Sequence, residues 1–372
     1  MRALRAIRSR ARSELVLVIS CIASLGTFFF VPPSFETARH IDWKVLACLF
    51  CLMTAIGGAK NAGVFSVAAS RLARLSGSTR SLSALLVFVT FFSSMAITND
   101  VALITFVPLT LVVLSKNPKP MTRIITVTLQ TIAANIGSAL TPIGNPQNLY
   151  VFSRYDMSLS SFLGETAGIV ILGGVLLVVA ISAVGKGPVG YRVPVDTAPV
   201  DVHRAAIFGL LFLVSVSAVF GLVPYQPVVA LAAISVLAAD RRLARMLDYG
   251  LLLTFVCFFV CIGNLGEIPR IASFLTAAAE RNALATGIIA SQLISNVPAA
   301  ILLSGYVPDP GELVRSVSIG GLGTLIASLA SVISFKFFAR ERPDETFKYL
   351  TVFTALNAIF LCILWVFAEL AY

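Results

Sequence analysis

The stretch SSMAITNDVALI, residues 93–104, returns in altered form as ASQLISNVPAAI, residues 290–301. The copies lie 197 positions apart and share the pattern S-x-x-I-[ST]-N-x-x-A-x-I. Each is apolar on both sides of a polar Ser/Thr-Asn pair, which interrupts a run that would otherwise resemble a membrane helix. We predict that each copy is the tip of a re-entrant hairpin, because backbone unwound at membrane depth is tolerated where protein or a water-filled cavity satisfies it.

The flanks of the first copy support this prediction. Residues 82–114 are apolar, and Arg80, Lys116 and Lys119 bound them on both sides. Basic flanks favour the cytoplasm, so the chain must leave and return within these residues. Two full spans would need about 40 residues, whereas two half-length helices fit. The second hairpin is predicted at residues 284–305.

A second repeated feature follows each hairpin. The predicted span at residues 122–152 is interrupted by IGSALTPIGNPQN, residues 136–148, whose glycines and prolines cannot all lie in one unbroken helix. The span at residues 313–338 contains SIGGLGTLIAS, residues 318–328. The two breaks align 183 positions apart, with Gly137 opposite Gly320 and Thr141 opposite Thr324. Broken segments at corresponding positions of two halves are a pointer to a transporter's binding site.

The composition indicates a membrane protein. Of 372 residues, 58% are hydrophobic and 12% are charged, about half the charged share of soluble domains. The net charge of +10 comes from arginines and lysines in short loops, which is typical of the positive-inside rule and excludes nucleic acid as a partner. The only histidines, His40 and His203, lie in predicted loops and supply no catalytic set, so no enzyme is predicted.

The predicted fold is an all-α polytopic membrane protein formed by one domain, residues 1–372. Repeat one covers residues 15–184, a linker covers residues 185–204, and repeat two covers residues 205–372 with inverted topology. We count nine transmembrane helices, two re-entrant hairpins and two broken helices. The five arginines among residues 1–14 hold the N-terminus in the cytoplasm, and the C-terminus is predicted outside.

The tips and breaks carry the predicted chemistry. Free amides at a helix N-terminus attract anions, and Asn99 and Asn296 add side-chain donors. Hydroxyls and freed carbonyls offer oxygens to Na⁺, whose predicted ligands are Ser94, Thr98, Asn99 and Gly137. The alternative is that the hydroxyls bond to their own helix and the glycines only pack helices.

Asp100 breaks the symmetry, since Val297 is its counterpart. An acid near the bilayer centre is by default a functional hypothesis. It carries a proton, completes a cation site or repels dianions; the alternative is that it caps the following half-helix.

These residues resemble the ion transporter superfamily, which includes citrate transporter-like proteins, divalent anion/sodium symporters, arsenite permeases and one class of sodium/proton antiporters. Thr98-Asn99-Asp100 and Ser295-Asn296-Val297 resemble the Ser-Asn-Thr signature of the dicarboxylate branch. TPIGNPQN, residues 141–148, resembles its T-x-x-G-x-x-x-N signature, whereas Asn99-Asp100 is more similar to the arsenite-permease branch. Both tips lack the final threonine of the signature.

The resemblance implies a secondary transporter of the inner membrane that binds substrate and ion between the tips and the breaks, commonly as a homodimer. The expected substrate is a small carboxylate or inorganic oxyanion, with Na⁺ or H⁺ as coupling ion and no further cofactor. Arsenite efflux and Na⁺/H⁺ antiport are the alternatives. The predicted binding residues are Ser94, Thr98, Asn99, Asp100, Gly137, Thr141, Gly144, Asn145, Asn148, Ser291, Ser295, Asn296, Gly320 and Thr324.

Overall fold

The structure is a computed structural model that describes residues 15–65, 67, 77–115, 117, 119–187 and 199–372. The topology prediction also places the loop that contains Arg71 and Arg74 in the cytoplasm. Residues 68–76 of that loop, the N-terminal arginines, Lys116 and residues 188–198 of the linker lie outside the described residues. The helices are α1 Leu15–Thr27, α2 Phe35–Arg39, α3 Trp43–Asn61, α4 Thr79–Ile97, α5 Asn99–Val113, α6 Pro120–Ser138, α7 Pro146–Arg154, α8 Leu159–Ile181, α9 Val202–Val219, α10 Tyr225–Ala239, α11 Leu243–Met246, α12 Tyr249–Gly266, α13 Pro269–Arg281, α14 Ala283–Ile294, α15 Asn296–Leu303, α16 Pro310–Gly320, α17 Leu329–Glu341 and α18 Thr346–Ala371.

Within the described residues, six helices are long and apolar enough to cross a membrane. Five of them are α3, α8, α9, α12 and α18. The sixth is α4, the first arm of the first hairpin, so the expectation of two half-length helices there is wrong. The α4 helix begins at the Ser78 capping box and has 19 residues, or about 28 Å. The protein is a polytopic helical membrane protein, and the helices α1 and α10 fall below this length.

Both predicted hairpins are helix–tip–helix units. The α4 helix ends at Ile97 and α5 begins at Asn99, with Thr98 alone between them. In the second unit α14 ends at Ile294, α15 begins at Asn296, and Ser295 forms the tip. Both predicted broken helices are also interrupted, at residues 139–145 between α6 and α7 and at residues 321–328 between α16 and α17.

The helices form two groups, which we call the hairpin bundle (α4–α8 and α14–α18) and the flanking bundle (α1, α3, α9, α10 and α12). In the hairpin bundle α4 packs on α6, α14 on α16, and α5 on both α6 and α17. In the flanking bundle α9 packs on α3 and α10, while α12 packs on α1. Between the groups the main contacts are those of α15 with α12 and of α7 with α3. Each bundle is therefore more tightly packed within itself than against the other.

The helix α13 was not expected from the sequence. It joins α12 of the flanking bundle to α14 of the second hairpin. Only Leu275 and Ala279 on it are buried, while Phe274 is 69% exposed. Such a narrow buried stripe is typical of a helix that lies on a surface.

Candidate functional site

The two tips share an unusual backbone conformation. Thr98 has φ 69° and ψ 149°, and Ser295 has φ 74° and ψ 152°. This region is nearly restricted to glycine and costs other residues on the order of 1–3 kcal/mol. Residues matched by the sequence repeat thus hold the same strained turn.

Each tip also donates a hydrogen bond to its own break, at acceptors that are repeat equivalents although the donors differ. The backbone amide of Asn99 donates to the carbonyl of Gly144 (3.0 Å). In the second half, the hydroxyl of Ser295 donates to the carbonyl of Ala327 (3.4 Å). Ala327 lies 183 positions after Gly144, which is the offset that aligns the breaks.

Two matched threonines fasten the breaks to the hairpins. Thr141 donates from Oγ1 to the carbonyl of Met95 (2.5 Å). Thr324 donates from Oγ1 to the carbonyl of Gln292 (3.4 Å). The two donors are therefore repeat equivalents, and so are the two acceptors. The two threonines predicted from the sequence both hold a break against the hairpin of its own half.

The two predicted glycines lie where helices approach closely. A Cβ on Gly137 would stand 2.2 Å from the carbonyl oxygen of Phe91 and 2.6 Å from Oγ of Ser94. A Cβ on Gly320 would stand 2.5 Å from Oγ of Ser291. No side chain fits at either position without a shift of the hairpin, so each glycine lets its broken helix pack against the first arm of its hairpin.

The hydroxyls beside these glycines bond to their own helices. Ser94 donates to the carbonyl of Phe91 (2.8 Å) and Ser291 to the carbonyl of Gly287 (2.7 Å). Both serines are fully buried. This geometry is the back-bonding that the sequence left open as the alternative to ion binding.

One buried amide connects the first tip with the second break. Asn135 on α6, 4% exposed, accepts at Oδ1 from Nδ2 of Asn99 (3.2 Å) and from the hydroxyl of Ser328 (3.0 Å). Its own Nδ2 donates to the carbonyl of Gly321 (3.2 Å). The predicted set did not include Asn135, although a lone Asn beside a break in an apolar helix is the available signal.

The carbonyls of the first break have a side-chain donor. Nδ2 of Asn148 lies within hydrogen-bond distance of the carbonyls of Ser138 (3.2 Å), Ala139 (3.2 Å) and Thr141 (3.1 Å). Asn145 caps the start of α7 by accepting from the amide of Asn148 (2.9 Å). The break is therefore closed by protein groups.

The second break is closed in a similar way from another direction. Nε2 of Gln292, on α14, donates to the carbonyls of Gly320 (2.8 Å) and Leu322 (2.9 Å). Its Oε1 accepts from the amide of Thr324 (2.8 Å). Gln292 is a second residue that the sequence prediction missed.

A cavity of about 240 Å³ reaches the first tip. Of the predicted residues, Thr98, Asp100 and Asn145 line it. Asp248, at the start of α12, and Lys336, on α17, line its other parts. Charge therefore comes from both bundles, and the two carboxylates outnumber the one ammonium group. Neither Asp248 nor Lys336 had been predicted.

Asp100 lies at the first turn of α5. Its backbone amide donates to the side-chain Oδ1 of Asn99 (2.9 Å). The backbone amide of Asn99 in turn donates to the carbonyl of Gly144. The first two amides of this helix are thus already bonded. Oδ1 of Asp100 is shielded from solvent and has no hydrogen-bond partner among the described residues. A buried carboxylate oxygen without a partner is suited to bind a proton or a metal cation.

The second tip is not brought into this cavity. The cavity lining contains neither Ser295 nor Asn296, and Nδ2 of Asn296 lies beside Gly321 at the second break. The hydrogen bonds of Asn135 connect the first tip with α6 and with the second break, whereas the second tip lies against its own break.

A second cavity of about 610 Å³ is lined by Arg39, His40, Asp42 and Arg154. A cluster of buried apolar side chains that includes Leu149, Tyr150, Phe255 and Phe259 lies between the two cavities. The rings of Tyr150 on α7 and Phe259 on α12 pack 5.6 Å apart. This packing connects the hairpin bundle to the flanking bundle.

Comparison with known proteins gives the family. The profile of the citrate transporter family matches residues 6–312. The inner membrane protein YbiR of Escherichia coli K12 is 32% identical over 324 residues, 85% of each chain. The uncharacterized transporter MJ0456 of Methanocaldococcus jannaschii is 31% identical over 81% of this chain and 82% of its own. A shorter match joins 38% of this chain to 29% of the silicon efflux transporter LSI3 of Oryza sativa, at 35% identity. These matches confirm the resemblance seen in the tip and break motifs, and the chain belongs to the citrate transporter family.

Proposed function

We propose that this protein is a secondary active transporter that moves a small anion, a carboxylate or an inorganic oxyanion, across the inner membrane with H⁺ or Na⁺ as coupling ion. The observation that carries the proposal is the cavity at the first tip, where a strained turn, a helix break and the unpaired oxygen of Asp100 meet. A carrier needs a site that is reached from one side while an apolar layer closes the other.

The duplicated contacts of the tips support an inverted repeat. Contacts that join the first hairpin to the first break recur between the second hairpin and the second break, at the offsets of the sequence alignment. In this arrangement the cavity faces the cytoplasm, because Asp248 and Lys336 lie where the positive-inside rule places the inner surface. Transport then proceeds as the hairpin bundle moves relative to the flanking bundle.

The charge of the cavity supports coupling to a cation. Asp100 and Asp248 outweigh Lys336, so an anion alone is repelled by its own site. A proton or Na⁺ on Asp100 removes that repulsion. The anion and the cation consequently bind together, which is the basis of symport.

The test is transport in proteoliposomes. Labelled citrate, phosphate, arsenite and silicic acid would be offered under an imposed pH gradient or Na⁺ gradient. We expect saturable accumulation of a carboxylate or oxyanion with one of the gradients. Asp100→Asn should abolish accumulation driven by the gradient but keep exchange of solute for solute, whereas Asp156→Asn, at an exposed turn, should behave as the wild type. Flux that does not saturate would contradict a carrier.

The same cavity keeps one alternative open. Its excess of carboxylates favours a cation, so Na⁺/H⁺ antiport or efflux of a weak acid such as arsenite is the second candidate. The name of the relative LSI3 places an efflux transporter among similar proteins. Exchange of Na⁺ for H⁺ without any labelled solute would favour this candidate over anion symport.

A further inference from the structure

The helix breaks raise a specific question about the coupling ion. The last carbonyls of a helix have no intrahelical partner, and the helix C-terminus carries partial negative charge that favours a cation. α6 ends at Ser138 and α16 ends at Gly320 inside the protein. Both ends are buried, so their carbonyls need a donor or a bound cation.

We infer that the side-chain amides of Asn148 and Gln292 occupy the two positions that a coupling cation would otherwise take at the breaks. This inference rests on the proposed transport function and narrows its coupling site. Each amide places its N–H groups against carbonyls at the end of a broken helix, and the carbonyls of Ala139 and Leu322, which each amide contacts, are repeat equivalents.

The origin of the two amides strengthens the inference. Asn148 comes from the helix after the break, and its repeat equivalent is Ser331; Gln292 comes from the hairpin, and its equivalent is Met95. The halves therefore satisfy one matched carbonyl, that of Ala139 in the first half and of Leu322 in the second, with residues that are not related by the repeat. What the two halves share is the need for a donor at this carbonyl.

The remaining contacts of Asn148 point to the same role. Its Oδ1 is buried and accepts no hydrogen bond among the described residues, while its Nδ2 faces three carbonyls. The side chain is placed to donate rather than to accept. Na⁺ is thus not required at either break, and Asp100 in the cavity is left to hold the coupling cation.

The substitutions that test this inference exchange residues between the halves. Gln292→Met installs the residue of the first half, and Asn148→Ser installs that of the second. Both remove the donor and leave carbonyls at the break exposed to any small cation. The control is Gln130→Met, which removes a fully buried amide that donates to Thr90 (3.1 Å) and to the carbonyl of Leu86 (3.4 Å) away from both breaks.

Thermal unfolding of the purified full chain in detergent is the readout, with NaCl titrated against choline chloride at constant ionic strength. We expect the melting temperature of Gln292→Met and Asn148→Ser to fall and to recover with Na⁺ in a saturable way. The titrations are made in the Asp100→Asn background, so that Na⁺ held by Asp100 does not contribute to the melting temperature. In this background we expect the protein with both amides intact to show no saturable rise and Gln130→Met to fall without recovery. A saturable Na⁺ effect on Asp100→Asn alone, or break variants that fall without recovery, would overturn the inference.

A second variant covers the case in which those proteins do not fold. Gln292→Glu keeps the shape of the side chain but replaces the donor with a carboxylate that faces two carbonyls. It should be stable only with Na⁺ or at a pH low enough to protonate the new acid. Stability that is independent of both would overturn the inference. Because unfolding is measured rather than flux, failure here leaves the transport proposal standing, and a lack of transport leaves this result standing.

Discussion

Replacement of Asn135 by alanine tests whether the first tip and the second break are held together by one side chain. The substitution removes three buried hydrogen bonds, two accepted from Asn99 and Ser328 and one donated to the carbonyl of Gly321. Ser328 keeps a second contact because its hydroxyl accepts from the amide of Ala330 (3.2 Å). Nδ2 of Asn99 has no other acceptor among the described residues.

The expected loss follows from these contacts. A buried hydrogen bond contributes about 1 kcal/mol net, and a buried group left without a partner costs about 1–3 kcal/mol. The three lost bonds of Asn135→Ala therefore reduce the free energy of unfolding by about 3 kcal/mol. Asn357→Ala is the matched control, because Asn357 is fully buried but makes one bond, to the carbonyl of Phe353 on its own helix (2.9 Å). Its expected loss is about 1 kcal/mol.

Unfolding by titration with sodium dodecyl sulfate measures both losses. A double-mutant cycle with Asn99→Ala should give a coupling energy of about 1 kcal/mol, since the two amides are in contact. The reasoning is refuted if Asn135→Ala loses no more than the Asn357→Ala control, or if the losses of Asn99→Ala and Asn135→Ala simply add.

Three further predictions use the same assay. Gly320→Ala should reduce the free energy of unfolding by about 2 kcal/mol, because its Cβ would stand 2.5 Å from Oγ of Ser291. Gly209→Ala, with no atom within 4 Å of the added Cβ, should raise the free energy of unfolding by up to about 1 kcal/mol through helix propensity. Equal effects of the two substitutions would mean that the helices at the break have room for a Cβ. Thr98→Gly should stabilise the protein by about 1 kcal/mol, the difference between the relieved strain and the entropy cost of glycine, and a loss would show that the turn is unstrained. In the unsubstituted protein the carboxylate of Glu345 lies 2.5 Å from the guanidinium of Arg123. Arg123→Leu should reduce the free energy of unfolding by about 3–5 kcal/mol, because it leaves that carboxylate buried without a partner. Adding Glu345→Gln should restore part of this loss, and no restoration would argue against the ion pair.

The sequence located the tips and breaks because local chemistry decides them. An Asn beside Ser or Thr in an apolar run favours an interruption, because these side chains compete for backbone hydrogen bonds, and the structure has single non-helical residues at Thr98 and Ser295, where they were expected. Family membership, likewise predicted from these motifs, is confirmed by the comparisons. The inverted orientation of the halves, the number of spans and the coupling ion remain predictions.

The missed residues act over long distances in the chain. Asn135 bonds to Gly321, 186 positions later, and Gln292 finds its carbonyls only after α16 and its break have folded against α14. No local pattern encodes such a partner. Asp248 lies just before α12 and Lys336 lies within α17, and only the packing of the two bundles brings them to one cavity.

The surface helix α13 was missed for another reason. A search for long apolar runs passes over a helix with a narrow apolar stripe, although its period of about 3.6 residues was visible in residues 269–281. The length of α4 was misjudged because its first turn, at Thr79–Ser81, is polar and lies before the apolar run. Capping residues, here Ser78, give a better estimate of where a helix begins than hydropathy does.

The apolar cluster between the two cavities has a consequence for the time scale of transport. Leu149, Phe255 and Phe259 have no polar side-chain atoms, and the hydroxyl of Tyr150 is already paired with that of Ser304 (2.7 Å), so these side chains do not support a file of water through the packed layer. In the proposed mechanism a solute passes only as often as the two bundles exchange one packed arrangement for another, and collective motions of this size take microseconds to milliseconds. The flux should therefore saturate and depend steeply on temperature, and the membrane should stay tight to small ions while the protein is at rest.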